Sequence, residues 1–320
     1  MRSVEVKAFA KINLGLAVMG KRPDGFHDIA TIFHTISLAD RIRISFAPAR
    51  RSRIEVTASV EIPGENIAAR AARAVLTATH ATGEVRIHIA KRIPMGGGLG
   101  GGSTDAAAVL LALPALTGKP LGDPARLALE LGSDVPFFLR GGCAMGFGRG
   151  EELYPLPDLA ARHGLLVTPQ VHVSTKDAYA ALGRGLTPDR NFPMLKRLQS
   201  LAWAIEARAP RETWSGDCRN DFEEVVFRQY PALKRLQRKL AEAGAAPARM
   251  TGSGAALFGF FPDASAVQAG REKLGAVSTV PFSLLRRSAY RSLWRQWLRG
   301  NDALRPAQDS IGQRQSRARA

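Results

Sequence analysis

The stretch Pro94, Met95, Gly96, Gly97, Gly98, Leu99, Gly100, Gly101, Gly102, Ser103 and Thr104 places six glycines in seven positions, followed by two hydroxyls and an alanine-rich run. Backbone without side chains approaches a ligand closely and turns its N–H groups toward it. A helix capped at Ser103 or Thr104 aims its unpaired N–H groups and the positive end of its dipole back at that loop. Loop and helix start together form a phosphate site. No Lys-Ser or Lys-Thr follows the last glycine, so this is not a Walker A loop. Gly96, Gly98 and Gly101 match a dinucleotide fingerprint formally, but that fingerprint opens an early βαβ unit, and this loop lies almost a third of the way along the chain.

Two further groups of residues carry charge in apolar surroundings. Lys11 and Asn13 share one face of the otherwise apolar run Ala8-Phe9-Ala10-Lys11-Ile12-Asn13-Leu14. Asp134 sits in Leu131-Gly132-Ser133-Asp134-Val135-Pro136-Phe137-Phe138, at an expected helix-to-strand turn. Taken singly, Lys11 reads as a snorkelling surface lysine and Asp134 as a turn aspartate. Beside bound phosphates they form a phosphoryl-transfer site, in which the lysine offsets negative charge and the aspartate orients or deprotonates an attacking hydroxyl.

Those groups need elements to hold them. Alternation of polar and apolar residues predicts strands over 4–9, 12–18, 40–46, 53–59, 84–90, 164–173 and 279–285. Helical spacing predicts helices over 66–80, 106–113, 124–131, 222–227 and 231–243, with Pro114 kinking or ending the second. Residues 143–154 read as a hairpin, and 249–261 contain a second glycine turn. Strands mixed with helices, without strict βα alternation, define an α+β chain. The expected division is an N-terminal domain over 1–158, a C-terminal domain over 159–288 and a basic extension over 289–320, partly disordered.

At 320 residues and 45% hydrophobic, the chain supports a substantial core. It shows no internal repeat, no apolar run of the roughly 20 residues a membrane span needs, and no signal-peptide core at its start. Two cysteines, Cys143 and Cys218, are too few and too far apart for a disulfide framework or a zinc site. A reducing cytoplasm with unpaired thiols fits. The formal net charge of +17 favours anionic partners: phosphates, nucleic acid or an acidic membrane surface. Residues 286–320 hold nine Arg and two Asp, so about +7 of that excess lies in the tail.

The ordered set Ala10-Lys11-Ile12-Asn13-Leu14, the double-triplet glycine loop, Gly132-Ser133-Asp134-Val135-Pro136 and Thr251-Gly252-Ser253-Gly254 resembles the GHMP small-molecule kinases, over roughly residues 4–286. Arg22-Pro23-Asp24-Gly25-Phe26-His27 and Asn220-Asp221-Phe222-Glu223 extend the likeness toward the branch that acts on a cytidine diphosphate alcohol. The resemblance implies a two-domain α+β GHMP kinase fold, with a ribosomal protein S5 domain 2-like N-terminal domain and a ferredoxin-like C-terminal domain. It implies ATP-dependent phosphorylation, with Mg²⁺, of the tertiary hydroxyl on carbon 2 of a cytidine diphosphate-linked methylerythritol, in isoprenoid precursor synthesis.

By the same resemblance, Lys11 and Asp134 form the catalytic pair, with Asp134 as general base. Residues 94–104 wrap the ATP phosphates, and Asn66 and Lys91 lie near the adenosine. Asn13 meets the methylerythritol. Phe26 and His27 form one side of the cytosine site and Tyr179 the other. Thr251, Gly252, Ser253 and Gly254 close the site from the second domain. Ser103 is the candidate for the metal, no dedicated protein metal site being expected. Position 26 is often tyrosine in the family; Phe26 keeps the ring for stacking and loses the phenol hydroxyl.

Tyr290, Leu293, Trp294, Trp297 and Leu298 lie at near-helical spacing, with Arg291, Arg295 and Arg299 on other faces. This amphipathic basic helix is expected to pack on the body of the protein or on a second copy, with a membrane or nucleic-acid surface as the sharper alternative. Residues beyond Arg305 have the composition of a disordered tail. Two competing readings remain at this point. One is the same fold with a homoserine, mevalonate or galactose type of acceptor. The other is a nucleic-acid-binding protein motivated by the charge, for which no aromatic-basic recognition motif appears. No nucleic acid and no membrane span is required by the first reading, and the oligomeric state is open.

Overall fold

The structure is a computed structural model that describes residues 1–159, 163–183, 185 and 192–298. In chain order its elements are β1 (Arg2–Lys21), β2 (His27–Pro48), β3 (Arg53–Ala58), α1 (Ile67–Ala78), β4 (Gly83–Ala90), α2 (Gly101–Thr117), α3 (Pro124–Leu131), α4 (Val135–Phe138), β5 (Cys143–Phe147), β6 (Glu152–Leu156), β7 (His163–Val167), α5 (Thr175–Leu182), α6 (Phe192–Glu206), α7 (Arg211–Trp214), α8 (Phe222–Gln229), α9 (Pro231–Glu242), β8 (Ala248–Met250), β9 (Leu257–Phe261), α10 (Ala264–Leu274), β10 (Thr279–Phe282) and α11 (Arg287–Trp297). Strands and helices mix as an α+β chain, as expected.

Two sheets organise them. The first has the order β3-β4-β2-β5-β6, with β1 paired to β2. Its apolar face buries α1 and α2 in a core that includes Val6, Ile42, Ile44, Ile87, Ala72, Val75, Val109 and Leu113. The second is antiparallel, in the order β10-β7-β9-β8. It packs with α5, α8, α9 and α10 around Leu165, Leu257, Phe222, Leu233 and Phe261. A third apolar cluster, with Ile12, Ile32, Leu201, Trp214, Phe258 and Phe260, joins the two halves.

β1 is one 20-residue strand where the sequence predicts two. It runs antiparallel to β2 with register shifts between Phe9 and Lys11, Asn13 and Gly15, and Val18 and Gly20. Bulges bend a strand without ending it, so the pattern breaks in the sequence mark bends. β2 likewise begins at His27 rather than at residue 40. Residues 29–36 are buried on both faces and show no alternation.

The helix after the glycine loop starts at Gly101, not at a Ser103 or Thr104 cap. Gly100 is the N-cap, in the left-handed conformation at φ 72°, and no side-chain cap bond is made. Nor does Pro114 end this helix, which runs through to Thr117. From Thr104 to Leu116 only Leu111 is not fully buried. Packing of that kind outweighs the one backbone hydrogen bond a proline removes.

The strand predicted over 164–173 stops at Val167, and that predicted over 279–285 stops at Phe282. Five helices, α4, α5, α6, α7 and α10, have no counterpart in the sequence reading, and the first of them stands where a strand is expected after Asp134. The amphipathic segment near residue 290 is α11, and it packs on the first sheet with Tyr290 and Trp294 buried. Residues 299–320, including Arg299 and the tail expected to be disordered, lie outside the described residues, as does Ala160 at the expected domain boundary. Cys143 and Cys218 are buried free thiols, and burial pushes both well above the ordinary cysteine range.

Candidate active site

β1 pairs with β2 along one edge, and its other edge is used by loops from both halves of the chain. The Lys11 N–H donates to the Leu99 carbonyl at 3.0 Å, which fixes the glycine loop against the strand. Two residues on, the Asn13 N–H donates to Thr251 Oγ1 at 2.9 Å. Further along, the Leu16 N–H donates to the Arg219 carbonyl and Leu16 accepts from the Asp221 N–H. A free strand edge is a row of unpaired donors and acceptors. Here that row docks the pieces of the site.

The glycine loop needs its glycines. Gly96, Gly98 and Gly100 have φ of 68°, 72° and 72°, which residues with a Cβ rarely adopt. A Cβ at Gly98 would lie 2.4 Å from the Thr251 carbonyl oxygen, and one at Gly252 would lie 2.9 Å from Gly98 Cα. The two glycine loops, more than 150 residues apart in sequence, therefore pack backbone against backbone. Asn220 holds the second loop from behind, donating through Nδ2 to the carbonyls of Met250 at 2.9 Å and Gly252 at 2.8 Å. α2 begins at once after Gly100, so the N–H groups of Gly101, Gly102 and Ser103 have no intrahelical acceptor. This presents more free donors than a side-chain cap at Ser103 would.

Lys11 Nζ stands 3.4 Å from Asp134 Oδ2. It also donates to Asn13 Oδ1 at 2.7 Å and lies 5.2 Å from the centroid of the Phe33 ring. Asn13 is held in turn: its Nδ2 donates to Thr31 Oγ1 at 2.8 Å, and its Oδ1 accepts from Thr251 Oγ1 at 3.3 Å. Asp134 is the N-cap residue of the one-turn helix α4. Behind the pair, the Phe138 ring fills the space where a Cβ of Gly100 would lie, 2.7 Å from its Cζ.

The pair opens into a cleft of about 650 Å³. Of the residues singled out in the sequence, Lys11, Asn13, Phe26, His27, Gly98, Gly100, Asp134, Tyr179, Gly252 and Ser253 line it. His27 and Tyr179 stack on each other, 4.5 Å between ring centroids and 17° between planes. A flat ligand must therefore part these rings or use their outer faces. Partial burial, with the nearby Lys21 ammonium, pushes His27 below the ordinary histidine value. Burial, with the Asp134 charge, raises Tyr179 and keeps it a phenol.

Three cations on the cleft wall were not singled out: Lys21, Arg149 and Lys176. Arg149 places its guanidinium 4.7 Å from the centroid of the Phe26 ring, which is otherwise exposed. Arg149 follows Gly148 in a hairpin, and nothing in its local sequence distinguishes it from the chain's many other arginines.

The remaining predicted residues are off this cleft. α1 borders the end of the glycine loop. Asn66 is the N-cap of α1, its Oδ1 accepting from the Ala68 N–H at 2.9 Å. The next residue, Ile67, lies 3.5 Å from where a Cβ of Gly102 would sit. Lys91 is enclosed: its Nζ lies 2.5 Å from Asp40 Oδ2 and 3.0 Å from Asp105 Oδ2. Burial would lower Lys91, but the two carboxylates more than offset it and hold its pKa above the ordinary lysine value. Asp40 Oδ1 also accepts the N–H groups of Arg92 and Ile93. This buried triad, which the sequence reading missed, clamps both ends of the glycine loop to β2. Its members are scattered over residues 40, 91 and 105, so no local signal joins them. Thr251 is fully buried beneath the second loop, while Ser253 Oγ lies 2.8 Å from Thr175 Oγ1 of α5.

A side-chain-free loop at a helix start, beside a buried ammonium and a cleft-facing carboxylate, is the apparatus of phosphoryl transfer to a small alcohol. Comparison with known proteins agrees. Residues 66–142 match the GHMP kinases N terminal domain and 195–278 the GHMP kinases C terminal domain. The chain is 50% identical over 301 residues to the 4-diphosphocytidyl-2-C-methyl-D-erythritol kinase of Solibacter usitatus, covering 92% of this chain and 93% of the relative. It also superposes on a crystal structure of 4-(cytidine 5'-diphospho)-2C-methyl-D-erythritol kinase with a TM-score of 0.71 and 37% identity, covering 88% of this chain and 98% of that one. A homoserine kinase from Cytophaga hutchinsonii, with a TM-score of 0.72 and 17% identity over 89% of this chain and 95% of its own, shares the fold. The chain belongs to the GHMP kinases and, within them, to the 4-diphosphocytidyl-2-C-methyl-D-erythritol kinase family. Among the described residues no helix is long and apolar enough to cross a membrane.

Proposed function

We propose that this enzyme transfers the terminal phosphoryl group of ATP to the 2-hydroxyl of 4-diphosphocytidyl-2-C-methyl-D-erythritol, as a cytoplasmic step of isoprenoid precursor synthesis. The observation that carries this reading is the Lys11–Asp134 pair, 3.4 Å apart, at the floor of the cleft and against the glycine loop. A tertiary alcohol is a crowded nucleophile, so positioning and charge stabilisation must do most of the work. Asp134 takes the hydroxyl proton. The Lys11 ammonium holds that carboxylate in place and offsets charge as it develops on the oxygen. Asn13, fixed on three sides, orients the methylerythritol.

Pro94 through Thr104, with the free N–H groups at the start of α2, bind the ATP phosphates on the far side of the loop. Asn66 borders the adenosine there, while Lys91 acts at that side through the triad that anchors the loop. Phe26, His27 and Tyr179 supply flat surfaces for the cytosine, and Thr251 to Gly254 close the cleft. Four cations, Lys11, Lys21, Arg149 and Lys176, face one carboxylate, Asp134, across the cleft, which suits an acceptor that itself carries phosphates.

Mg²⁺ supplies neutralisation of the ATP phosphate charge. Among the described residues no cluster of three or more His, Cys, Asp or Glu could hold a metal alone. Oxygen donors shared between phosphates and the Ser103 hydroxyl, in the first turn of α2, fit a cation that keeps few protein ligands.

ADP release measured with and without the cytidine diphosphate alcohol tests the proposal, followed by mapping of the phosphorylated carbon by NMR. Release that depends on this alcohol, with phosphate on carbon 2, is expected. Turnover with homoserine or mevalonate in its place overturns the acceptor assignment.

A further inference from the structure

We propose that Tyr290, in the C-terminal helix, is a positioning residue for phosphoryl transfer that holds the supports of Lys11 and Asp134 in register. The proposal rests on the kinase reading above.

Tyr290 is 1% exposed, and its hydroxyl donates to the carbonyl of Phe138. Phe138 closes α4, the one-turn helix that begins at Asp134. So short a helix satisfies few of its own carbonyls. Those of Pro136 and Phe137 are taken by local turns, and that of Phe138 by Tyr290. The chain makes room for this contact. Gly141 has φ 61°, and a Cβ there would lie 2.6 Å from Tyr290 Cγ. The phenol ring also meets Phe9, with centroids 5.8 Å apart, two residues before Lys11 in β1. The Phe138 ring in turn fills the missing Cβ of Gly100 in the glycine loop.

One side chain thus touches the strand that carries the ammonium and the helix that carries the carboxylate, and its partner Phe138 supports the phosphate loop. Arg287 anchors the start of the same helix, its N–H donating to Asp158 Oδ2 at 2.7 Å and its Nε to the Gly141 carbonyl at 3.1 Å. A brace that loses its hydroxyl keeps most of its packing but loosens α4. Turnover then falls without weaker ground-state binding, because misplacement of a reacting group acts on the transition state.

The test uses full-length Tyr290→Phe, with Leu293→Ala as a control that weakens the packing of the same helix and removes no hydrogen bond. For Tyr290→Phe, kcat is expected to fall about ten-fold while both KM values stay within about two-fold. Amide exchange should accelerate in residues 134–141. Leu293→Ala should lower thermal stability at least as much and leave kcat unchanged. Unchanged kcat and unchanged exchange in Tyr290→Phe overturn the proposal, as does an equal kcat loss in Leu293→Ala, which would make the helix a source of stability alone. If the wild-type chain turns over no substrate, the kinase reading fails, and the exchange comparison still decides whether Tyr290 braces α4.

Discussion

Lys11 and Asp134 hold their charged atoms 3.4 Å apart, yet the lysine side chain is 5% exposed and the aspartate 32%. The ammonium is enclosed by Asn13, Phe33 and the glycine loop. The carboxylate alone of the two faces the cleft freely enough to meet an incoming hydroxyl. That asymmetry supports the proposed roles, with Asp134 handling the proton and Lys11 fixing and polarising the carboxylate.

Asp134→Asn should therefore fold like the wild type and lose turnover by about 10³-fold or more, since it removes the base while keeping the shape. Lys11→Met should lose at least about 10²-fold and also destabilise, because the buried Asn13 Oδ1 loses its charged donor, at about 1–3 kcal/mol. Coupled ADP-release kinetics alongside thermal melts separate the two. A Lys11→Met variant that melts and turns over like the wild type would remove the ammonium from the mechanism.

Gly98→Ala should be far more harmful than Gly122→Ala. The first puts a Cβ 2.4 Å from the Thr251 carbonyl at φ 72°, while the second meets nothing within 4 Å. Displacing the loop from its partner should weaken ATP binding about ten-fold or more and lower the melting temperature by several degrees, about 1–3 kcal/mol. Titration of each variant with a fluorescent ATP analogue reads the first effect and calorimetry the second. Equal behaviour of the two variants would show that contact between the glycine loops is dispensable.

Tyr179→Ala should raise KM for the cytidine-bearing acceptor about 5- to 100-fold, the range of one lost base-stacking contact, and leave KM for ATP unchanged. Tyr179→Phe keeps the ring and should stay within a few-fold. Paired initial-rate series, with each substrate varied in turn, distinguish them. An increase in the ATP constant instead would place Tyr179 on the nucleotide side.

Burial pushes the Asp105 carboxyl up to about 7, against the pull of the Lys91 ammonium, which Asp40 shares. Its Oδ1 is buried with no hydrogen-bond partner. From the unfolded value of about 4 up to about 7, the folded chain binds more protons at this site than the unfolded chain does. Its contribution to stability therefore declines as pH rises through that window and levels off above it. Asp105→Asn removes this dependence, so the variant should gain on the wild type in melting temperature between pH 5 and pH 8. Parallel melting curves for the two proteins across that range would show that the carboxyl does not titrate there.

Much of the site is legible in the sequence. The glycine loop, Lys11, Asn13, Asp134 and the Thr251–Gly254 turn stood out by residue type and neighbours, and all converge around one cleft. What misled were local cues. Ser103 and Thr104 read as caps because hydroxyls usually cap helices, but a glycine in the left-handed conformation starts the helix three residues earlier. Pro114 read as a breaker because burial on almost every side cannot be seen from one residue. Residues 29–36 did not read as strand because both faces are covered. The pairing of Lys91 is not legible locally either, because its two carboxylates lie 51 and 14 residues away.

The order of residues alone determined which backbone segments could adopt left-handed turns, which faces were apolar and which charges sat in apolar surroundings, because φ/ψ preference and periodicity are short-range properties of the chain. The fold alone decided that an ammonium at position 11 meets a carboxylate at 134, that two glycine loops pack against each other, and that a tyrosine at 290 braces both partners. Such contacts depend on closing long loops and filling a shared core. Neither free energy resides in any one stretch of residues.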